Sequence, residues 1–356
     1  MGFGGDGDYA YQNAALYKAW EKLKNTGGIV VVCGPYTLEE KHSNPQARAG
    51  DMDIIMNEWF QNRDVSILYT SVYDGVDYRQ TADAKVIFKG KACLTFPTAT
   101  YTKNITFQGS ISAVEGRHTW IAGGFCPLTL ATGTKFLPNS AGELPYIVGG
   151  FRNGNGIGVT TNELHNCDRT DIVVDIGNEN EIGHIYGIIG MLSHAPVADA
   201  NITLRSGTFT GPIIGDSWGG DPTKLTNANM NIKVLGGIIK GEIAATNNGF
   251  AADSTKKVSI MIAGGDLTDC TGILAKGTEC SRSAPANFKI DCTYATDDLY
   301  QLVKAKAPAG VTIVEPDPNA VMPGTGDNAA LIPAIILMAV CFVAAYALIV
   351  SKKKVQ

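Results

Sequence analysis

The sequence predicts an all-β chain wound as a parallel β-helix, with a helix over its N-terminal end and a membrane-spanning helix near its C-terminal end. Three observations predict it. A segment with one pattern recurs five times between residues 171 and 295, at spacings of 30, 30, 28 and 28. Within each copy apolar and polar residues alternate, the period of a strand with one buried face. Residues 329–350 form a stretch of 22 without a charge, followed by Lys352, Lys353 and Lys354. Composition agrees with a folded chain, because 45% of its 356 residues are hydrophobic and only 18% charged, which excludes disorder over most of the length.

Taken in order, residues 1–28 form an N-terminal segment with a helix over 9–24. Ala10, Ala14, Leu16, Trp20 and Leu23 share a broad face, while Lys18, Glu21, Lys22 and Lys24 stay solvated, and Asn25-Thr26-Gly27-Gly28 ends the helix. Its expected place is over the open end of the solenoid, where a bare sheet edge would invite aggregation. Met1 to Asp8 has neither the basic start nor the apolar run of an export signal, so an exported form is expected to start upstream.

The solenoid is expected over 29–310. Early strands are read at 28–34, 65–71, 84–90, 103–111 and 118–125, with 39–62 as a polar loop. The repeat proper aligns Ile172, Ile202, Ile232, Ile260 and Phe288 in one apolar column, and Val174, Leu204, Val234, Ile262 and Ile290 in a second. Each copy turns at Gly177, Gly207, Gly237, Gly265 or Thr293, where glycine supplies a positive φ. A second short strand places Phe209, Ile239 and Leu267 together, and a third places Ile213, Ile243 and Leu299 together. Coils stacked in this way resemble the right-handed parallel β-helices of the pectate-lyase-like superfamily, and the Gly-Gly repeats look like those of large bacterial surface proteins.

A linker is expected over 311–328, a transmembrane helix over 329–350 and a basic tail over 351–356. At about 1.5 Å per residue the apolar stretch reaches about 33 Å, enough for a hydrocarbon core. Lysines beside the span mark its cytoplasmic side, which puts 1–328 outside. Met322-Pro323-Gly324-Thr325-Gly326, then the span, then the basic tail, resembles the cell-wall sorting signal of Gram-positive bacteria, Leu-Pro-any-Thr-Gly. Pro323, Thr325 and Gly326 match, and Met322 stands in place of leucine. The resemblance implies cleavage between Thr325 and Gly326, with a sortase and peptidoglycan as partners and the cell wall as location.

Charge excludes a nucleic-acid partner bound through phosphate neutralisation, because apart from the three terminal lysines 26 basic residues face 34 acidic ones. No cofactor is implied, and the histidines at 42, 118, 165, 184 and 194 include no pair at metal-ligand spacing. Candidate ligand contacts fall in two clusters. Glu179, Glu181 and His184, joined by Glu163 and His165, combine carboxylates with an imidazole able to bind a cation or move a proton. The two glutamates are expected on one strand face. Asp216, Trp218 and Asp221 could stack a sugar ring and accept its hydroxyls, and Asp297-Asp298 is an acidic pair on the last coil. Cys126, Cys270 and Cys292 read as buried core thiols, with a Cys270–Cys280 bridge as the alternative.

The polysaccharide lyases and polygalacturonases of the resembled superfamily cluster Asp with Arg, Lys or His. No Asn-Thr-Asp, Gly-His-Gly or Arg-Ile-Lys occurs here, so that resemblance stops at the fold. Three functions follow: an adhesin-like or structural surface protein, a wall-tethered polysaccharide-active enzyme, and a carbohydrate-binding module. The missing acid/base set favours the first, with an extracellular glycan or a host or neighbour-cell protein as ligand.

Overall fold

The structure, a computed structural model, describes residues 15–38, 52–55, 62–90, 92–111, 119–150, 169–189, 199–217, 226, 228–247, 255–277 and 288–322. It is a parallel β-solenoid. The longest sheet has 10 strands, from Gly28–Val31 to Thr312–Val314, each paired in parallel with the next coil's strand. An 8-stranded sheet runs from Met52–Ile55 to Ile273–Lys276. The third side is split. Pro35–Leu38, Lys85–Phe88, Thr106–Gln108 and Lys135–Leu137 make a 4-stranded sheet, and Glu181–Ile182, Thr208–Phe209 and Ile238–Ile239 make a 3-stranded one.

The expected ladders form because each apolar residue meets its like one coil on. Ile172 pairs with Ile202, Ile202 with Ile232 and Ile232 with Ile260, all buried. Phe209 pairs with Ile239, and Ile185, Ile213, Ile243 and Ile273 follow one another on the 8-stranded sheet. Between sheets the chain turns at Gly177, Gly207, Gly237 and Gly265, whose φ values of 88°, 136°, 93° and 98° disfavour any residue with a Cβ.

Several expectations are corrected. In the last coil Ile260 pairs with Ile290, not Phe288, so the step is 30 rather than 28. A slip of two residues keeps every side chain on its own face, so alternation alone cannot detect it. Leu299 is not on a strand, and Asp297 and Asp298 do not lie on a coil edge. They belong to the helix Asp297–Lys306, whose first N–H groups are served by the Thr296 hydroxyl, 3.3 Å from Leu299 N. That helix buries Val303 in the core. Within 39–62, expected as a loop, Met52–Ile55 forms a strand against Ala92–Thr95. Thr312–Val314, expected in the linker, closes the 10-stranded sheet.

At the other end the helix Ala15–Leu23 packs on the first coil's strand Gly28–Val31, with Trp20 wholly buried and Leu16 and Tyr17 buried beside it. Residues 9–14 of the expected helix lie outside the described residues. So do the span at 329–350, the basic tail and Pro323 to Gly326. Among the described residues no helix is long and apolar enough to cross a membrane. The chain divides into two compact units at Pro316 and Asp317. Of the second, 317–322 is described, with the Asp317 carboxylate accepting from Asn319 N at 2.8 Å and Met322 exposed.

Candidate functional site

The split third side builds a groove. Strand Lys135–Leu137 ends the 4-stranded sheet, and Glu181–Ile182, its counterpart one coil on, begins the 3-stranded one. Their side chains still continue one interior column, with Phe107 stacked on Phe136 at 5.8 Å and Ile182 paired with Phe209. The backbone ladder between them is broken. The coil joining them in the long sheet, Leu128 to Ile172, runs 44 residues, against 30 for Ile172 to Ile202 and for Ile202 to Ile232. Its first excursion, 138–145, stands beside the break as a turn in which Asn139 Oδ1 accepts from Ala141 N at 2.9 Å and Glu143 N at 2.8 Å. The resulting groove holds about 700 Å³ and crosses four coils, from Lys135 to Lys240.

Three members of the first predicted cluster line it: Glu179, Glu181 and His184. They do not share a strand face. Glu179 lies in the turn after Gly177, where its Oε1 accepts from Asn180 Nδ2 at 3.0 Å, and Glu181 opens the next strand. Glu163 and His165 lie outside the described residues. Among the described residues no three His, Cys, Asp or Glu side chains converge as a metal site, so the cation-binding option has no geometry behind it there.

His184 is placed by its neighbours. Its ring stacks on Tyr146 with centroids 4.0 Å apart, and its Nδ1 is 2.9 Å from the Tyr186 hydroxyl. Trp120 meets Tyr146 edge-on at 4.8 Å and lies 6.1 Å from Tyr186. Register explains the row, since Trp120 pairs with Tyr146 and the His184 carbonyl accepts from Ile147 N. Burial pushes the Tyr146 hydroxyl's pKa well above the usual tyrosine value, and Tyr186 and Glu143 add to it, so the phenol stays a neutral donor. On the far side Gly211 leaves room for the imidazole, because a Cβ there would fall on the His184 ring.

The second predicted cluster does not form a site at Asp216. This carboxylate is only 1% exposed, and its Oδ2 accepts from the Thr226 hydroxyl at 2.6 Å, which in turn lies 2.7 Å from the Thr246 hydroxyl. It ties strand Ile213–Ser217 to residue 226. The reason is local: outward positions of the 8-stranded sheet, such as Val148, Ile214 and Ala244, are buried too, so a polar residue there is enclosed rather than offered to solvent. Trp218 and Asp221 lie outside the described residues. Cys126, Cys270 and Cys292 are buried, as the core reading expected, and Cys270 and Cys292 are free thiols.

Sequence reasoning missed Lys135, Tyr146, Trp120, Gly211 and Lys240. The aromatic row could have been found only by knowing which residues stack across the 44-residue coil, and no repeat spacing gives that. Compared with family models, with curated proteins and with solved structures, the chain matches none. The reading of the groove therefore rests on its own residues.

Proposed function

We propose that the protein is an adhesin-like surface solenoid that holds an extracellular glycan in this groove. One observation carries the reading: Tyr146 and His184, stacked on successive coils with Trp120 edge-on behind them, line the groove beside Glu179 and Glu181. Ring edges give apolar contact to sugar C–H groups, and carboxylates accept the hydroxyls at the rim. The Met322–Gly326 motif, the apolar stretch 329–350 and Lys352–Lys354 supply the means of display, as a sorting signal read by a sortase and joined to peptidoglycan.

A test separates display from binding. With a secretion signal added, native protein expressed in a Gram-positive host is expected in the muramidase-released wall fraction, and Thr325→Ala in the membrane. Both forms in the membrane would make the motif a linker. A second reading, a wall-tethered polysaccharide-active enzyme, is favoured by the same convergence of Glu179, Glu181 and His184 on one groove. It requires release of new chain ends from a glycan incubated with the native protein, and glycans left intact would exclude it.

A further inference from the structure

At the broken ladder two strand edges face each other along the groove. Backbone N–H and C=O groups point to the two sides of a strand in turn, residue by residue. Lys135 N donates to the Ile105 carbonyl and the Leu137 carbonyl accepts from Gly109 N, both at 2.8 Å, so these two residues face the coil before. Phe136, between them, therefore turns its N–H and C=O toward the coil after. There the Asn180 carbonyl accepts from Thr208 N at 2.9 Å and the Ile182 carbonyl from Thr210 N at 3.0 Å. Those bonds point onward, so Glu181 turns its N–H and C=O back toward Phe136. Among the described residues no hydrogen bond joins the two strands. Both residues line the groove, and Phe136 is buried. An enclosed main-chain group without a partner is costly, so this seam suits a ligand that brings a donor and an acceptor of its own.

The width of the seam decides between ligands. Cα atoms of the two strands come within 8 Å of each other, whereas a strand inserted between them would need about twice 4.8 Å. The edges are also short, Lys135–Leu137 on one side and Glu181–Ile182 on the other. An extended peptide finds neither the room nor the length for a ladder there. A single amide at the mouth of the seam fits, because its N–H meets a main-chain carbonyl and its C=O a main-chain N–H. Beside the seam the lining is apolar at Leu137, Pro138 and Leu144. Leu144 is close to the second strand, its Cβ 3.2 Å from where a Cβ on Gly183 would stand. These side chains suit a methyl group.

We infer that the groove reads the acetamido group of an N-acetylated amino sugar. The inference rests on the glycan reading above and adds the substituent recognised. In the bound state the acetamido N–H donates to a carbonyl of the Phe136 and Glu181 pair, its oxygen accepts from an N–H of the same pair, and its methyl lies against Leu144. A hydroxyl in its place is shorter and has no methyl, and an ammonium has no acceptor.

Three hexasaccharides that differ only at carbon 2 of each glucose unit test this by titration calorimetry: chitohexaose (acetamido), its fully de-N-acetylated form (amine) and cellohexaose (hydroxyl). Chitohexaose is expected to bind at least tenfold more tightly than each of the others. Leu144→Ala is expected to weaken chitohexaose about threefold and to leave cellohexaose unchanged, with the melting temperature kept; an equal loss for both would contradict the methyl contact. The amine or hydroxyl form bound as tightly as chitohexaose, with binding lost in Tyr146→Ala, would leave the glycan reading standing and overturn the inference. An extended Ser-Thr hexapeptide bound more tightly than chitohexaose would also overturn it. Binding of none of the three glycans would overturn both readings.

Discussion

The coils on either side of the groove run the same course with different fillings. From Ile172 to Ile290 the steps along the long sheet are 30, 30, 28 and 30, and the interior is a ladder of Ile, Val and Leu. Before it the steps are 39, 33, 28 and 44, and the interior holds Tyr69, Phe96, Phe107 and a set of buried threonines. Thr100 donates to the Thr98 carbonyl at 3.0 Å, and the Thr102 and Thr134 hydroxyls lie 3.0 Å apart. Equal coils let like residues stack, so a few branched side chains fill the interior. Unequal coils do not, and larger rings and hydroxyls that bond back to the backbone take up the mismatch. The groove lies where one regime gives way to the other, because a long coil cannot keep all three sheets in register with its neighbour.

That comparison can be broken by substitution, beginning where the effect is largest. Ile232→Ala removes a wholly enclosed side chain between Ile202 and Ile260, and should destabilise by about 4 kcal/mol in urea unfolding. Thr100→Ala, at a buried position in the irregular half, should cost only about 1 kcal/mol, the worth of one hydrogen bond. Equal costs would mean that the two fillings do not differ in kind. Next comes Gly187→Val at the inner corner. A Cβ there would lie 2.5 Å from the Gly215 carbonyl oxygen and 2.7 Å from Ala200 Cβ, so overpacking of about 3 kcal/mol is expected.

Asp216→Ala should cost about 2 kcal/mol, because the Thr226 hydroxyl loses its acceptor in an enclosed place. A melting temperature unchanged by this variant would contradict the burial of that carboxylate. The smallest effect is chemical. Burial, with Asp291 beside it, pushes the Cys292 thiol up to about 11, while Cys33 is exposed. A raised thiol pKa keeps the neutral form, so at pH 8 roughly one Cys292 in a thousand is thiolate. Mass mapping after brief alkylation at pH 8 should find Cys33 modified and Cys126, Cys270 and Cys292 protected.

How much of this was legible in the sequence follows the same division. The ladder from Ile172 to Ile260 could be read directly, because alternation, a fixed glycine and near-equal spacing all point to one register. The last coil was read two residues out, since that slip preserves the inside and outside faces. The spacing puts Leu299 on a strand, yet Thr296-Asp297-Asp298 is a helix start, with a capping hydroxyl and two acids in the first turn. Glu179, Glu181 and His184 were found as neighbours in sequence. Their partners Tyr146 and Lys135 were not, because only the paired coils bring them near. Asp216 reads from the sequence as part of a loop with Trp218; it lies instead on strand Ile213–Ser217, where the outward position is enclosed.

The central claim is that the seam between the two halves is a glycan site built on Tyr146 and His184. The direct measurement is to present native protein and the Tyr146→Ala variant to one panel of immobilised bacterial and host glycans at equal concentration. The claim predicts a defined set of glycans retained by the native protein and lost at least tenfold in the variant, with both forms melting at the same temperature. Glycans retained equally by both forms, or none retained by the native protein, would contradict it.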